Sequence, residues 1–245
     1  MTRALIELTA RQLLGRRRAL IMLLLALLPV LVAAIYRLGD GDQEAAEFTA
    51  DMLDVMGLGL VLPLTALIFG TGTLGAEIED GTAVYLLTKP VERWRIVIVK
   101  IAVAAAATIL VTLPPLVLAS VIALGGDEAA ITPAFAVAVV VGAITYCALF
   151  VTLSIRTGRA LLIGLGYVFI WEAVLPQLFS GTKWVSVHQY MLGVADLISS
   201  APPWVLTLDA DLDGVTAVVL AVVVTGAATF LGTRLLERFE IGQRL

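Results

Sequence analysis

The chain is short of charge, of cysteine and of histidine. Only 15% of its 245 residues are charged, against about 25% in an ordinary soluble domain. With 60% hydrophobic residues and a mean hydropathy of +1.01, that shortage excludes a disordered chain and argues against an ordinary soluble enzyme. The single cysteine, Cys147, excludes an intrachain disulfide and a thiolate metal cage. The single histidine, His188, excludes multi-histidine metal or haem ligation within one chain. A basic excess is missing as well: the net charge is −4 and the pI about 5.0, which disfavours nucleic acid as a partner. A polytopic membrane protein is the class left standing.

Catalytic and nucleotide motifs are also absent. There is no G-x-x-x-x-G-K-[ST], so the chain has no P-loop for ATP, and there is no H-E-x-x-H metalloprotease helix. An intramembrane serine protease would need a serine and a histidine buried together, and His188 has no G-x-S-x-G partner. One motif is present but misplaced. Gly70-Thr71-Gly72-Thr73-Leu74-Gly75 matches G-x-G-x-x-G, with Glu92 near the distance of a ribose-binding acid. The apolar run before it has the length of a membrane span rather than a strand, and a charged turn follows it. Small residues at the end of a packed membrane helix explain it better.

What the chain does have is long apolar runs. A helix needs about 20 apolar residues to cross a hydrocarbon core. Six stretches qualify: about 19–36, 55–76, 101–124, 134–155, 160–179 and 215–233. Backbone groups in lipid must be bonded internally, so the expected fold is all-α, a single membrane domain over 1–245. The first run has the basic flank and the Val32-Ala33-Ala34 site of a signal peptide, but it is long for one. Pro63 and Pro114-Pro115 are expected to kink their spans, and Tyr146 and Cys147 to pack.

The charges orient these spans. Of 16 basic residues, all but Arg37 and Lys183 fall on one side, the side of both termini. By the positive-inside rule that side is cytoplasmic. Twelve acids fall on the other side, six of them (Asp40, Asp42, Glu44, Glu47, Asp51 and Asp54) in the first outer loop. Residues 1–18 read as a cytoplasmic amphipathic arm, with Leu5, Leu8 and Leu13 between basic residues. The outer stretch 180–213 reads as a helix or re-entrant segment at the outer interface, ended by Pro202-Pro203.

Two places are candidate sites. The cytoplasmic loop 77–100 carries an acidic cluster (Glu77, Glu79, Asp80), a turn at Gly81-Thr82 and a short apolar patch, Val84 to Leu87. Lys89-Pro90 breaks the patch, and Trp94 follows among Glu92, Arg93 and Arg95. Such a patch either packs on the chain's own helix ends or binds a partner, and little soluble mass exists to cover it. The second candidate is Trp171-Glu172. An acid at mid-span costs about 2.5–3.5 kcal/mol, so Glu172 faces a path, an interface between subunits, or the outer surface.

The order Glu77, Gly81-Thr82, Leu86-Leu87, Pro90-Val91, Arg93 and then Lys100 on the next helix resembles membrane subunits of type-2 ABC exporters, the ABC-2 family. Trp171-Glu172 followed by Ser186-Val187-x-Gln189-x-x-Leu192-Gly193 is similar to that family's fifth span and outer helix, with His188 where a basic residue is expected. The resemblance implies a six-span permease subunit in a bacterial or archaeal cell membrane, homo- or heterodimeric, docked to a separate cytosolic ATPase. Glu77, Asp80, Gly81, Thr82, Val84, Leu86, Leu87, Pro90 and Arg93 would form its coupling helix. It implies no cofactor on this chain, with ATP and Mg on the ATPase, and no catalysis by the chain itself. A membrane-embedded enzyme or protease, or an anchor recruiting a cytosolic protein, are the alternatives.

Overall fold

The computed structural model describes residues 16–39, 45–79, 92–125, 131–178, 180–199 and 210–238. Among these there is no strand, so the all-α expectation holds. The helices are α1 (Arg16–Ala26), α2 (Leu28–Leu38), α3 (Ala45–Met52), α4 (Leu62–Glu79), α5 (Arg93–Leu124), α6 (Ile131–Arg156), α7 (Ala160–Gly166), α8 (Leu175–Leu178), α9 (Val187–Ile198) and α10 (Gly214–Glu237). Two π-helical segments, Leu53–Val61 and Tyr167–Glu172, and a 3₁₀ turn, Ser180–Val185, complete the described elements.

Five stretches are long and apolar enough to cross a membrane: Leu20–Leu38, Ala45–Leu74, Arg93–Leu124, Ile131–Arg156 and Gly214–Glu237. The fifth stretch of the sequence reading is different. Residues Ala160–Glu172 form a shorter apolar helix, which turns at Ala173 and Val174 into the four-residue α8. Among the described residues the structure therefore gives five helices of spanning length and one shorter apolar helix, and the expected count of six spans is not confirmed.

Two boundaries also move. The second apolar stretch begins at Ala45 rather than 55, because Ala46, Thr49, Ala50 and Leu53 repeat at helical spacing and are all buried. Glu47, Asp51 and Asp54 thus ride on helix, not in a loop. The third begins at Arg93 rather than 101, with Ile96, Val97, Lys100 and Ile101 buried. Residues 93–100 are helix for the same reason. The amphipathic arm expected at 1–18 lies outside the described residues, apart from the first residues of α1.

At the centre lies α6, packed by α4, α5, α9 and α10. Glycine allows two of these approaches. A Cβ on Gly70 of α4 would stand 2.8 Å from Phe150 Cβ, and one on Gly142 of α6 would collide with Met191 of α9. Gly70, the first glycine of the misplaced dinucleotide motif, thus serves helix packing. Prolines shape two elements without ending them. Pro63 opens α4, and the turn before it is widened, Leu62 N–H reaching back five residues to the Gly57 carbonyl. Pro114 and Pro115 stand inside α5, which continues unbroken to Leu124.

Candidate functional site

Glu172 closes the second π-helical segment and is buried, 8% exposed. Its carboxylate accepts four hydrogen bonds. Tyr167 Oη and Ser186 Oγ each donate at 2.6 Å, Val187 N–H at 3.0 Å and His188 N–H at 3.3 Å. Val187 and His188 are the first residues of α9, and Ser186 is its N-cap, accepting from Gln189 N–H. A carboxylate is thus seated on the positive end of a helix, where N–H groups have no partner in the helix itself. The four donors satisfy a charge that a membrane helix otherwise tolerates poorly. Trp171, beside it, donates from Nε1 to the Val185 carbonyl at 3.3 Å.

A second acid joins the same helix end. His188 Nε2 lies 2.7 Å from Asp54 Oδ1, and Asp54 belongs to the first π-helical segment. Burial alone lowers the His188 pKa. The hydrogen bond and charge of Asp54, helped by Glu172, outweigh that and raise it above 6.5. Both widened turns of the molecule therefore carry an acid that grips the N-terminus of α9. The other side of α9 is held too: Tyr190 Oη donates to the Trp184 carbonyl at 2.7 Å, and Gln189 Oε1 accepts from Asp211 N–H at 3.3 Å. Lys183 pairs with Asp211.

The helical reading of the segment after the fifth apolar stretch is thus met by α9, which is buried along most of its length. The sequence reading missed two of its partners. From sequence alone Asp54 reads as an outer-loop acid, and His188 as a stand-in for a basic residue. Their juxtaposition spans 134 residues and leaves no local signal.

The other candidate is only partly in view. Asp80, Gly81, Thr82, Val84, Leu86, Leu87 and Pro90 lie outside the described residues. Glu77 falls in the last turn of α4, and Arg93 is the first residue of α5. The two helices that flank this stretch are joined by Lys100. Its side chain is fully buried, and Nζ donates to the Thr73 carbonyl of α4 at 3.0 Å. Among the described residues no cluster of three or more histidine, cysteine or acidic side chains is arranged to hold a metal.

With this geometry in place, comparison with known families is direct. A family model described as ABC-2 family transporter protein matches residues 14–170. The chain belongs to the ABC-2 transporter family. No curated protein matches it. The matched residues run from the first apolar helix to just short of Glu172, and include Lys100, Asp54 and the stretch between α4 and α5. This ABC-2 chain is a multi-pass membrane component of an ABC transporter, and membership of the family implies association with an ABC ATPase.

Proposed function

We infer that this ABC-2 chain is the permease subunit of an exporter, facing a second permease subunit and coupled to a separate cytosolic ATPase. Its termini lie on the cytoplasmic side, the side that holds 14 of the 16 basic residues. The stretch from Glu77 to Arg93 is the coupling element, with Val84, Leu86 and Leu87 as its docking patch. ATP and Mg²⁺ belong to the ATPase. Trp171 and Glu172 fix the outer end of the short fifth helix, whose exposed Leu161, Leu162 and Ile170 face the second subunit.

The observation that carries this reading is the Lys100–Thr73 bond. It stitches α4 to α5 within two turns of the stretch between them. A push on that stretch then moves both helices together instead of prying them apart. An ammonium is suited to the task, because it carries three donors on a long stem and can bond a backbone carbonyl of the neighbouring helix.

Co-expression with the cognate ATPase tests the proposal. Leu86→Asp and Arg93→Glu are expected to abolish capture of the ATPase while leaving the permease folded by circular dichroism. Full capture and full ATP-driven transport by both variants would overturn the coupling role.

A further inference from the structure

A groove of about 730 Å³ runs between α5 and α10 over Ile144 of α6, a volume in the range of ligand pockets. One wall is the stripe Trp94, Ile98, Ala102, Ala105 and Ile109. From Trp94 to Ile109 that wall is about 22 Å long at about 1.5 Å per residue. This exceeds one leaflet's share, about 15 Å, of the hydrocarbon core.

The opposite wall contains three threonines, yet it offers an occupant little polarity. Thr229 Oγ1 donates to the Thr225 carbonyl at 2.7 Å, and Thr233 Oγ1 to the Thr229 carbonyl at 2.9 Å. Thr225 Oγ1 donates to Thr145 Oγ1 at 3.2 Å. With the hydroxyls turned to partners in the fold, a polar solute finds few hydrogen bonds along this wall.

Charge gathers at one end only. The Arg95 guanidinium lies over the Trp94 ring at 5.3 Å, on the α5 wall. The Arg234 guanidinium lies over the Phe230 ring at 5.2 Å, on the α10 wall. Arg93 adjoins the first, and Arg238 continues the α10 stripe one turn beyond the second. Two carboxylates stand among these four arginines: Glu92, 2.7 Å from Arg95, and Glu237, 3.6 Å from Arg234. Both pairs are solvent-exposed ion pairs, worth about 0–1 kcal/mol, and yield readily to a phosphate that accepts from two guanidiniums. No charged residue lines the far end at Ile109, Ile144 and Thr225.

An apolar channel with cations at a single end fits an amphipathic molecule with an anionic head. We propose that this groove binds an anionic phospholipid, one acyl chain lying along Ile98 to Ile109 and the phosphate held between Arg95 and Arg234. The ring stack at each arginine holds the guanidinium at the groove mouth before the lipid arrives. The site is separate from the Glu172 centre, and its charged mouth adjoins the end of the stretch between α4 and α5.

The full chain, with its ATPase partner if that is needed for expression, is reconstituted into nanodiscs of phosphatidylglycerol or phosphatidylcholine with matched chains. It is then returned to detergent, and retained lipid is counted by native mass spectrometry. Retention of phosphatidylglycerol over phosphatidylcholine is expected. The double variant Arg95→Gln/Arg234→Gln should weaken it about tenfold, as expected for losing a charge-assisted contact. Ala106→Trp, at an exposed position on the groove wall, should expel the lipid without disturbing the core. Equal retention of the two lipids, or retention indifferent to both variants, would overturn the proposal. So would displacement of the lipid by millimolar inorganic phosphate, which marks a plain anion site. Efficient disulfide formation between two Ala106→Cys chains, showing a second copy in the groove, would do the same.

Discussion

Among the described residues, each end of the helix bundle buries one charge, and the two are satisfied in different ways. Lys100 sits where α4 and α5 approach the stretch between them, and binds a backbone carbonyl of the neighbouring helix. Glu172 sits at the opposite end and gathers four donors, two of them side-chain hydroxyls and two backbone N–H groups. The lysine connects two long spans. The carboxylate connects a short, broken helix to α9, which has no span of its own. Glu172 uses a helix end of the matching polarity, whereas Lys100 bonds a carbonyl inside α4, six residues before its end at Glu79. The difference lies in what each charge joins. Around Glu172 the turn is widened but keeps its backbone bonds, Ala173 N–H reaching back to the Val168 carbonyl and Val174 N–H to that of Ile170. The carboxylate ties this widened turn to the first N–H groups of α9.

The sharpest way to break this comparison is Glu172→Ala. It leaves the Tyr167 and Ser186 hydroxyls and the first N–H groups of α9 without their acceptor, and each buried orphan costs about 1–3 kcal/mol. Allowing for water reaching some of them, a loss of about 3 kcal/mol or more is expected. Thermal unfolding in detergent reads it, and limited proteolysis should show new cleavage around residues 180–199. Glu172→Gln keeps the shape and part of the acceptor capacity, and should fall between. An unchanged Tm for Glu172→Ala would mean that α9 is held by its apolar face and its other polar contacts, not by this carboxylate.

The two ends were not equally legible in the sequence. Hydropathy located every long helix, because uniform apolar runs can satisfy their backbones in lipid only as helices. It misplaced the starts at Ala45 and Arg93, since Glu47, Asp51, Arg93 and Arg95 lower the local hydropathy although their helices continue. The buried positions Ala46, Thr49, Ala50 and Leu53 did carry the helical period, but alanine and threonine are weak hydrophobic signals. Glu172 stood out as an acid within an apolar run, and Ser186-Val187 as the start of a helix. That these two meet is a tertiary fact, as is the Asp54–His188 contact. Lys100 was legible only through the family pattern, for a lysine eight residues into a helix reads as a flank until its burial is known.

Lys100→Met probes the other side of the comparison with a smaller effect. The methionine keeps most of the length and fills the same apolar space, while the bond to the Thr73 carbonyl is lost. Replacing a buried charge by a hydrophobe of similar size is often mild. A loss of about 1–2 kcal/mol is expected, below that of Glu172→Ala, by the same unfolding measurement. Transport should suffer more than stability, because α4 and α5 then move independently. A Tm loss equal to that of Glu172→Ala would erase the distinction between a stitch and a node.

The smallest effect concerns the second grip on α9, and pH reads it. His188 is charged more readily in the folded chain than in the unfolded one, since the nearby Asp54 and Glu172 carboxylates outweigh the cost of burial. A group whose folded pKa is raised binds its proton more tightly when folded. Its contribution is therefore complete below the ordinary 6.5 and fades as pH climbs through the raised folded value. The Tm should drift down as pH rises above 6.5, and the drift should flatten in Asp54→Asn, which keeps the shape of the contact without its charge. Glu172→Gln leaves the Asp54 contact in place, so it should keep most of the drift. If Glu172→Gln flattens the curve and Asp54→Asn does not, the helix end is governed by one acid rather than two, and the two π-helical segments do not share a single anchor.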